Sequence, residues 1–485
     1  MVHVQATLNL EEQDSAETTA LNPSAQSELK ASHAVLLTAA QLSRGLLRML
    51  FIVVSARALG PEAFGVYAVL FAMIEMVAVA SGSGYTDYLT REAARDERIG
   101  WGLAAQLIQL RIVLSVVFAA GGLGILYLLG YPHLVLGAAG WFALTLVPRS
   151  LTETIQGVLR GSNRYFQYLA VELASGAGLV SGMILLLVRV GLSFVIAGEL
   201  LASGTAFCVA LFFAMRFRSR QRTSLPVREL IRVSAIFNIY AFVTNLYDRF
   251  DVLLLSRLAG NYAAGIYSAA YRPLGAVQLL PYGILYSMLP SLSRCRWNAS
   301  DRDRLEKATT LLLSIAFLIV LLTMAFSDIV VSALFGPSFA EVATALRILI
   351  WAVIFRYLNY VLNIGLLAVR KERLFVVTSL VCLGVNLVGN FFFIPLFSWK
   401  AAAVITIVTE AVLLTQNIIW FRKTLGSVPL SRTIIPMMVV FLIVLSITVL
   451  GKSLGYPRTV GIAGPLMFGG YLYHQGITTD LRLFA

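Results

Sequence analysis

Long stretches without any charged side chain constrain this sequence more than any other feature. Residues 112–148 contain no Lys, Arg, Asp or Glu, and the same is true of residues 308–327, 374–399, 433–451 and 459–479. A helix needs about 20 mostly apolar residues to cross the hydrocarbon core of a bilayer. The sequence therefore predicts an all-α protein that crosses a membrane many times.

The composition agrees with a membrane protein. Only 13% of the 485 residues are charged and 58% are hydrophobic, whereas soluble proteins have about 25% charged residues. Soluble globular, nucleic-acid-binding and secreted proteins are therefore excluded. The three cysteines and four histidines are scattered singly, so neither a disulfide framework nor a metal site is predicted.

The apolar segments and the turn signals between them, such as Gly60-Pro61 and Gly336-Pro337, predict about fourteen transmembrane helices. The predicted spans are 34–57, 64–90, 101–129, 133–158, 165–188, 192–215, 233–258, 262–289, 308–335, 341–368, 374–397, 400–421, 433–455 and 459–478.

The loops between these spans alternate in charge. The even-numbered connections hold 22 Lys and Arg residues, whereas the odd-numbered ones, together with the span ends beside them, hold 6. Because basic loops stay in the cytoplasm, we expect the even-numbered loops and both termini to be cytoplasmic. The net charge of +13 is thus interpreted first as an indication of how the protein is oriented in the membrane.

An internal repeat occurs at an offset of 200 residues. The segment ARALGPEAFGVYA (56–68) matches SRLAGNYAAGIYS (256–268), with Gly60 over Gly260 and Tyr67 over Tyr267. Each segment joins the first predicted helix of a six-helix half to its second. The repeat predicts two parallel six-helix bundles that form a central cleft, with two further helices at the carboxyl end.

These features divide the chain into five parts. We expect a disordered, acidic cytoplasmic tail, a first bundle, a basic cytoplasmic linker, a second bundle and the two extra helices. The predicted bounds are 1–33, 34–217, 218–232, 233–424 and 425–485.

Several arginines lie inside the predicted spans, where a charge at mid-bilayer costs about 2.5–3.5 kcal/mol. Guanidinium groups grip phosphate oxygens in a bidentate manner, so these arginines are candidates for binding an anion. The predicted substrate-binding residues are Arg44, Arg48, Arg111, Arg149 and Arg272.

A second interpretation of these arginines stays open, in which each one snorkels to an interface or neutralises a nearby acid. Arg149 has Glu153 four residues away on the same helical face, where such pairs form. Arg111 and Arg356 lie near span ends, so they are the strongest candidates for snorkelling.

Acidic residues in the spans are candidates for coupling or gating. These are Glu75, Asp248 and Asp251. Position 48 corresponds to position 248 in the repeat, so Arg48 and Asp248 are predicted to approach each other across the cleft in at least one state.

Four motifs resemble those of the Wzx-type polysaccharide-export flippases, of the multidrug/oligosaccharidyl-lipid/polysaccharide exporter superfamily. They are ARALGPEAFGVYAVLFA, SGSGYTDYLTREAAR, YDRFDVLLLSRLAGNYAAGIYSAAYR and ALFGPSFAEVATALRIL, and the resemblance extends from about residue 34 to 425. It implies two six-helix bundles in a V-shaped arrangement, with two further helices in many members.

The resemblance also implies a function without catalysis. We expect the protein to flip undecaprenyl-pyrophosphate-linked oligosaccharide across the bacterial inner membrane by alternating access, for polysaccharide biosynthesis. The implied partners are this substrate, membrane lipid and a polysaccharide polymerase or export machinery, with no nucleic acid. No cofactor is expected, and coupling to H⁺ or Na⁺ is left open.

Two alternatives remain at this point. One is a multidrug or cation exporter of the same superfamily, although Arg44 and Arg48 weigh against it. The other is a membrane polysaccharide polymerase or ligase, although every predicted odd-numbered connection is short. The sequence does not indicate which glycan is moved, the oligomeric state or the role of the acidic tail.

Overall fold

The computed structural model describes residues 23–217, 226–292, 297–369, 371, 373–454 and 457–475. Within these ranges the chain is almost entirely helical, so the predicted all-α fold is confirmed. The helices are α1 (Pro23–Ala80), α2 (Ser83–Arg95), α3 (Glu97–Leu128), α4 (His133–Ala143), α5 (Leu146–Gly161), α6 (Tyr165–Val188), α7 (Leu192–Phe217), α8 (Val227–Ala259), α9 (Asn261–Val277), α10 (Leu279–Leu292), α11 (Ala299–Phe335), α12 (Ala340–Leu349), α13 (Ala352–Ala368), α14 (Arg373–Phe397), α15 (Trp399–Leu425), α16 (Ile434–Ser453) and α17 (Pro457–His474).

Among the described residues, nine helical stretches are long and apolar enough to cross a membrane. A tenth is obtained if α12 and α13, which meet at 45°, form one bent span. The chain is therefore a multi-pass membrane protein. The count of fourteen spans stays a prediction, because α1 joins two predicted spans in one kinked helix and the predicted spans 233–258, 262–289 and 459–478 are not among these stretches.

The predicted tail ends too late in the sequence. Helix α1 begins at Pro23, so residues 23–33 are helical, as expected from their Ala, Leu, Gln, Glu and Lys content. The rest of the predicted tail, residues 1–22, lies outside the described residues. So do residues 218–225 of the predicted linker, and its last part belongs to α8.

Two glycines at equivalent positions of the repeat mark the same backbone break. Helix α1 is kinked at Gly60, with φ 73° and ψ 171°, and Gly260 separates α8 from α9 with φ 89° and ψ 166°. Residues with a Cβ atom rarely adopt such a positive φ. The shared conformation supports the repeat that the sequence predicts.

The two halves touch each other through the residues that follow these breaks. A Cβ atom on Gly65 would overlap the carbonyl oxygen of Asn261, and one on Gly265 would overlap that of Pro61. This exchange of equivalent contacts is what a two-fold relation between the halves produces. We call residues 60–65 and 260–265 the glycine contact.

Other interactions close the same end of the bundle. The Tyr131 hydroxyl donates to the Leu253 carbonyl oxygen at 3.0 Å, and Arg57 Nε donates to that of Leu334 at 2.7 Å. The rings of Phe64 and Phe339 meet edge to face, with centroids 6.0 Å apart. The halves are therefore tightly joined at the end that holds the glycine contact.

The opposite end is asymmetric. On one side, the Gly84 amide donates to Asn238 Oδ1 at 2.7 Å and joins α2 to α8. On the other side, a cavity separates α1 from α9. The carboxyl-terminal helices lie outside this arrangement, since α16 packs on α11 through stacked Phe441 and Phe317 rings 4.3 Å apart.

Candidate functional site

The cavity between α1, α8 and α9 holds an unusual set of charges for a membrane interior. It encloses about 380 Å³ and lies between the two halves of the protein. The charged residues that line it are Arg48 on α1, Asp248 and Arg249 on α8, Arg272 on α9 and Arg356 on α13. Four arginines face a single aspartate there, so we call it the arginine cavity.

These arginines differ in how they are neutralised. Arg48 binds Glu199 at 2.6 Å, and Arg356 binds Glu410 at 2.6 Å and Asp248 at 3.3 Å. In the described part of the chain, no carboxylate lies within 4.0 Å of Arg249 or Arg272, and Arg272 Nε is buried without a hydrogen-bond partner. Neither of these two cations forms an ion pair with a described residue, and Glu75, which interacts with both over a longer distance, is itself paired with Arg149.

The ring of Phe71 lies among three of these guanidinium groups. Its centroid is 5.7 Å from Cζ of Arg48, 5.6 Å from that of Arg249 and 5.2 Å from that of Arg272. These residues come from α1, α8 and α9, and α8 and α9 belong to the second half. Phe71 therefore marks the point where basic residues of both halves converge.

Two of the five predicted substrate-binding arginines, Arg48 and Arg272, line this cavity. The other three lie inside the first half, where each has a carboxylate partner. Arg44 binds Glu172 at 3.3 Å, Arg111 binds Glu153 at 2.9 Å, and Arg149 binds Glu75 at 2.6 Å and Glu153 at 3.2 Å. We call these six residues the amino-terminal network.

The predicted pair of Arg149 and Glu153 is confirmed, whereas the prediction of snorkelling is wrong. Arg111 is fully buried and also donates to the Thr154 hydroxyl at 3.0 Å. Arg356 has only 7% of its side chain exposed. Both arginines turn into the bundle because a carboxylate on a neighbouring helix offsets the cost of burying the charge.

The residues predicted for coupling lie in three different surroundings. Glu75 belongs to the amino-terminal network, and Asp248 lines the arginine cavity. Asp251 is buried, and it accepts hydrogen bonds from the Tyr267 hydroxyl and, at 2.8 Å, from the Val252 amide. The predicted approach of Arg48 to Asp248 is not made in this conformation, because each binds a partner within its own half.

Sequence reasoning missed three residues of this site, namely Arg249, Phe71 and Arg356, which was expected to snorkel. Arg249 lies between Asp248 and Asp251, so the local sequence indicates an acidic segment instead of a basic one. A helical signal was nevertheless present, because Asn245, Asp248 and Arg249 have the spacing that places side chains on one face. All three line the arginine cavity.

The chain belongs to the family of polysaccharide biosynthesis proteins, whose sequence profile matches residues 31–296. The resemblance predicted from the motifs is therefore confirmed. A probable flippase of Haloferax volcanii, AglR, is 25% identical over an alignment of 375 residues. The alignment covers 72% of this chain and 75% of that protein.

Two solved structures have a similar fold. The lipid II flippase MurJ in an inward closed conformation matches 91% of this chain and 100% of its own, with a TM-score of 0.71 and 12% identity. An inward-facing multidrug resistance transporter of the MATE family and MOP superfamily matches 78% of this chain and 94% of its own, with a TM-score of 0.61 and 16% identity. The fold that the resemblance implied is therefore shared with two solved transport proteins.

Proposed function

We propose that the protein is a flippase for an undecaprenyl-pyrophosphate-linked oligosaccharide in the bacterial inner membrane. The observation that carries this proposal is the pair of cavity arginines without a carboxylate partner, Arg249 and Arg272. Such cations are costly in a membrane protein, and a diphosphate group would supply the negative charge that they lack. The proposal is also supported by a relative named as a probable flippase and by a structural neighbour named as a lipid II flippase.

The closure of the bundle fits one stage of a transport cycle. The halves are packed together at the glycine contact, and the arginine cavity lies away from that end. With the orientation predicted from the loop charges, the closed end faces the periplasm and both termini are cytoplasmic. In this state the cavity would receive substrate from the cytoplasmic side. The coupling ion, H⁺ or Na⁺, stays a prediction.

The charge of the cavity argues against the alternative of a multidrug or cation exporter. A site for cations is expected to carry an excess of carboxylates, whereas four arginines line this cavity with one aspartate. A polymerase or ligase is disfavoured by the family and the fold.

The proposal is tested by export in cells that lack their own copy of the gene. Arg249→Ala and Arg272→Ala are each expected to abolish polysaccharide export while the protein still accumulates in the membrane. Arg272→Lys is expected to restore export only in part, because an ammonium keeps the charge but loses the bidentate geometry. The matched control is Arg95→Ala. The Arg95 side chain is 77% exposed and does not line the cavity. Normal export by the Arg249→Ala, Arg272→Ala double variant would refute the proposal.

A further inference from the structure

Arg249 and Arg272 need some stabilising contact before substrate arrives. Both are cations, and Arg48 is a third cation around the same ring, so their mutual repulsion is unfavourable. Glu199 neutralises only Arg48. The contact that the three guanidinium groups have in common is the ring of Phe71, which is 7% exposed.

An aromatic ring stabilises a guanidinium group in a way that suits an anion-binding site. The face of the ring carries a partial negative potential, and a cation near it is stabilised by about 0.5–1 kcal/mol when exposed and about 2 kcal/mol when desolvated. A carboxylate would hold the arginines more strongly, but it would also neutralise them. The ring leaves their charge available to phosphate oxygens.

The equivalent position of the second half provides a contrast. Position 71 corresponds to Tyr271, whose ring lies 5.8 Å from Cζ of Arg356 and whose hydroxyl accepts a hydrogen bond from Arg356 Nη2 at 3.1 Å. That arginine is also held by two carboxylates, Glu410 and Asp248. Both halves thus place an aromatic ring against arginine, but of these two rings only Phe71 lies against arginines without a described carboxylate within 4.0 Å, Arg249 and Arg272.

We infer that Phe71 is a positioning residue of the anion-binding site, whose ring gathers Arg48, Arg249 and Arg272 without neutralising them. This inference rests on the proposed function of the arginine cavity. Phe71 itself has no group that binds phosphate, so its effect on the substrate acts through the three guanidinium groups.

The experiment measures binding of inorganic pyrophosphate to the purified full-length protein in detergent by calorimetry. Phe71→Leu removes the ring and keeps an apolar side chain, and it is expected to weaken binding by about tenfold. Phe71→Trp keeps an aromatic face and is expected to stay within about threefold of the wild type. The matched control is Phe317→Leu, a buried phenylalanine that packs on Phe441, which is expected to leave binding unchanged.

A double-mutant cycle separates positioning from packing. If the ring acts through Arg249, then Phe71→Leu weakens binding less in an Arg249→Gln background than in the wild type. Equal losses in both backgrounds, or an equally large loss in Phe71→Trp and Phe71→Leu, would overturn the inference. Thermal unfolding of each variant identifies any that fail to fold, and Phe71→Tyr then replaces Phe71→Trp as the aromatic variant.

The inference and the proposed function fail in different ways. If the wild type does not bind pyrophosphate at all, both are overturned, because there is no anion site to organise. If the wild type binds pyrophosphate and Phe71→Leu binds it equally well, only the role of Phe71 is overturned.

Discussion

The first half of the protein and the arginine cavity both bury arginines in a membrane protein, but they neutralise them differently. In the amino-terminal network each arginine meets a glutamate within 3.3 Å. In the arginine cavity, no described carboxylate lies within 4.0 Å of Arg249 or Arg272. Arg48 lies between the two regions, because it lines both the arginine cavity and a second pocket that contains residues of the amino-terminal network.

This difference separates structural charges from functional ones. A buried pair offsets much of its own desolvation cost, whereas an isolated buried charge does not. Residues that violate such a rule without compensation are expected at functional sites. The amino-terminal network therefore holds α1, α3, α5 and α6 together, whereas under the proposed function the cavity arginines bind a ligand.

The largest expected effect comes from breaking the amino-terminal network. Glu153→Gln leaves the fully buried Arg111 without a carboxylate, because its remaining acceptors, the hydroxyl groups of Thr86 and Thr154 and the new amide oxygen, are uncharged. We expect a loss of about 3–5 kcal/mol in the free energy of unfolding, measured by denaturant titration in detergent. Arg149 loses its contact of 3.2 Å with the same carboxylate but keeps Glu75 at 2.6 Å, so most of the loss reports on Arg111.

The control for this variant is an ion pair whose arginine is exposed to solvent. Glu92 pairs with Arg95, which is 77% exposed, and Glu92→Gln is expected to change stability by less than about 1 kcal/mol. Equal effects of Glu153→Gln and Glu92→Gln would show that burial does not distinguish the network.

A smaller effect of opposite sign is expected in the arginine cavity. Arg272→Met removes a cation that has no carboxylate partner and a buried Nε without a hydrogen bond, while it keeps a long side chain. We expect the free energy of unfolding to rise by about 1 kcal/mol, although export is lost. If Arg272→Met is as destabilising as Glu153→Gln, then Arg272 has a structural role and the comparison between the two regions fails.

Local features of the fold were predictable from the sequence because they depend on short stretches of chain. Apolar runs predict the helices, and Gly60 and Gly260 mark equivalent breaks in the two halves, as the repeat suggested. The pair of Arg149 and Glu153 follows from helical spacing alone. The start of α1 was missed because a polar segment with good helix formers resembles a disordered one.

The partners of the other arginines were not predictable, because they depend on which helices are neighbours. Arg48 and Glu199 are 151 residues apart in sequence, and nothing in either local segment indicates the other. Arg249 lies between two aspartates, so its sequence neighbours do not indicate a basic site. In the structure one of these aspartates, Asp248, binds Arg356, and the other, Asp251, binds Tyr267. Counting charged residues along the chain therefore predicted a basic cleft, but it did not indicate which arginines of the cleft lack a carboxylate partner.

The smallest expected effect concerns Arg44, which the sequence predicts to bind substrate together with Arg48. The two lie one turn apart on α1, but only Arg48 lines the arginine cavity. Arg44 is 54% exposed and pairs with Glu172, which also accepts a hydrogen bond from Gln156 Nε2 at 3.0 Å.

Arg44→Ala is therefore expected to lower the free energy of unfolding by less than about 1 kcal/mol and to retain export, because Glu172 keeps the amide of Gln156 as a partner. Arg48→Ala is the paired variant on the same helix, and it is expected to lose export. Both are compared by polysaccharide yield at equal protein level in the membrane. Loss of export in Arg44→Ala without loss of protein would extend the substrate site into the first half. The amino-terminal network would then share the functional role of the arginine cavity, since a residue with a carboxylate partner would be as important for transport as the two arginines without one.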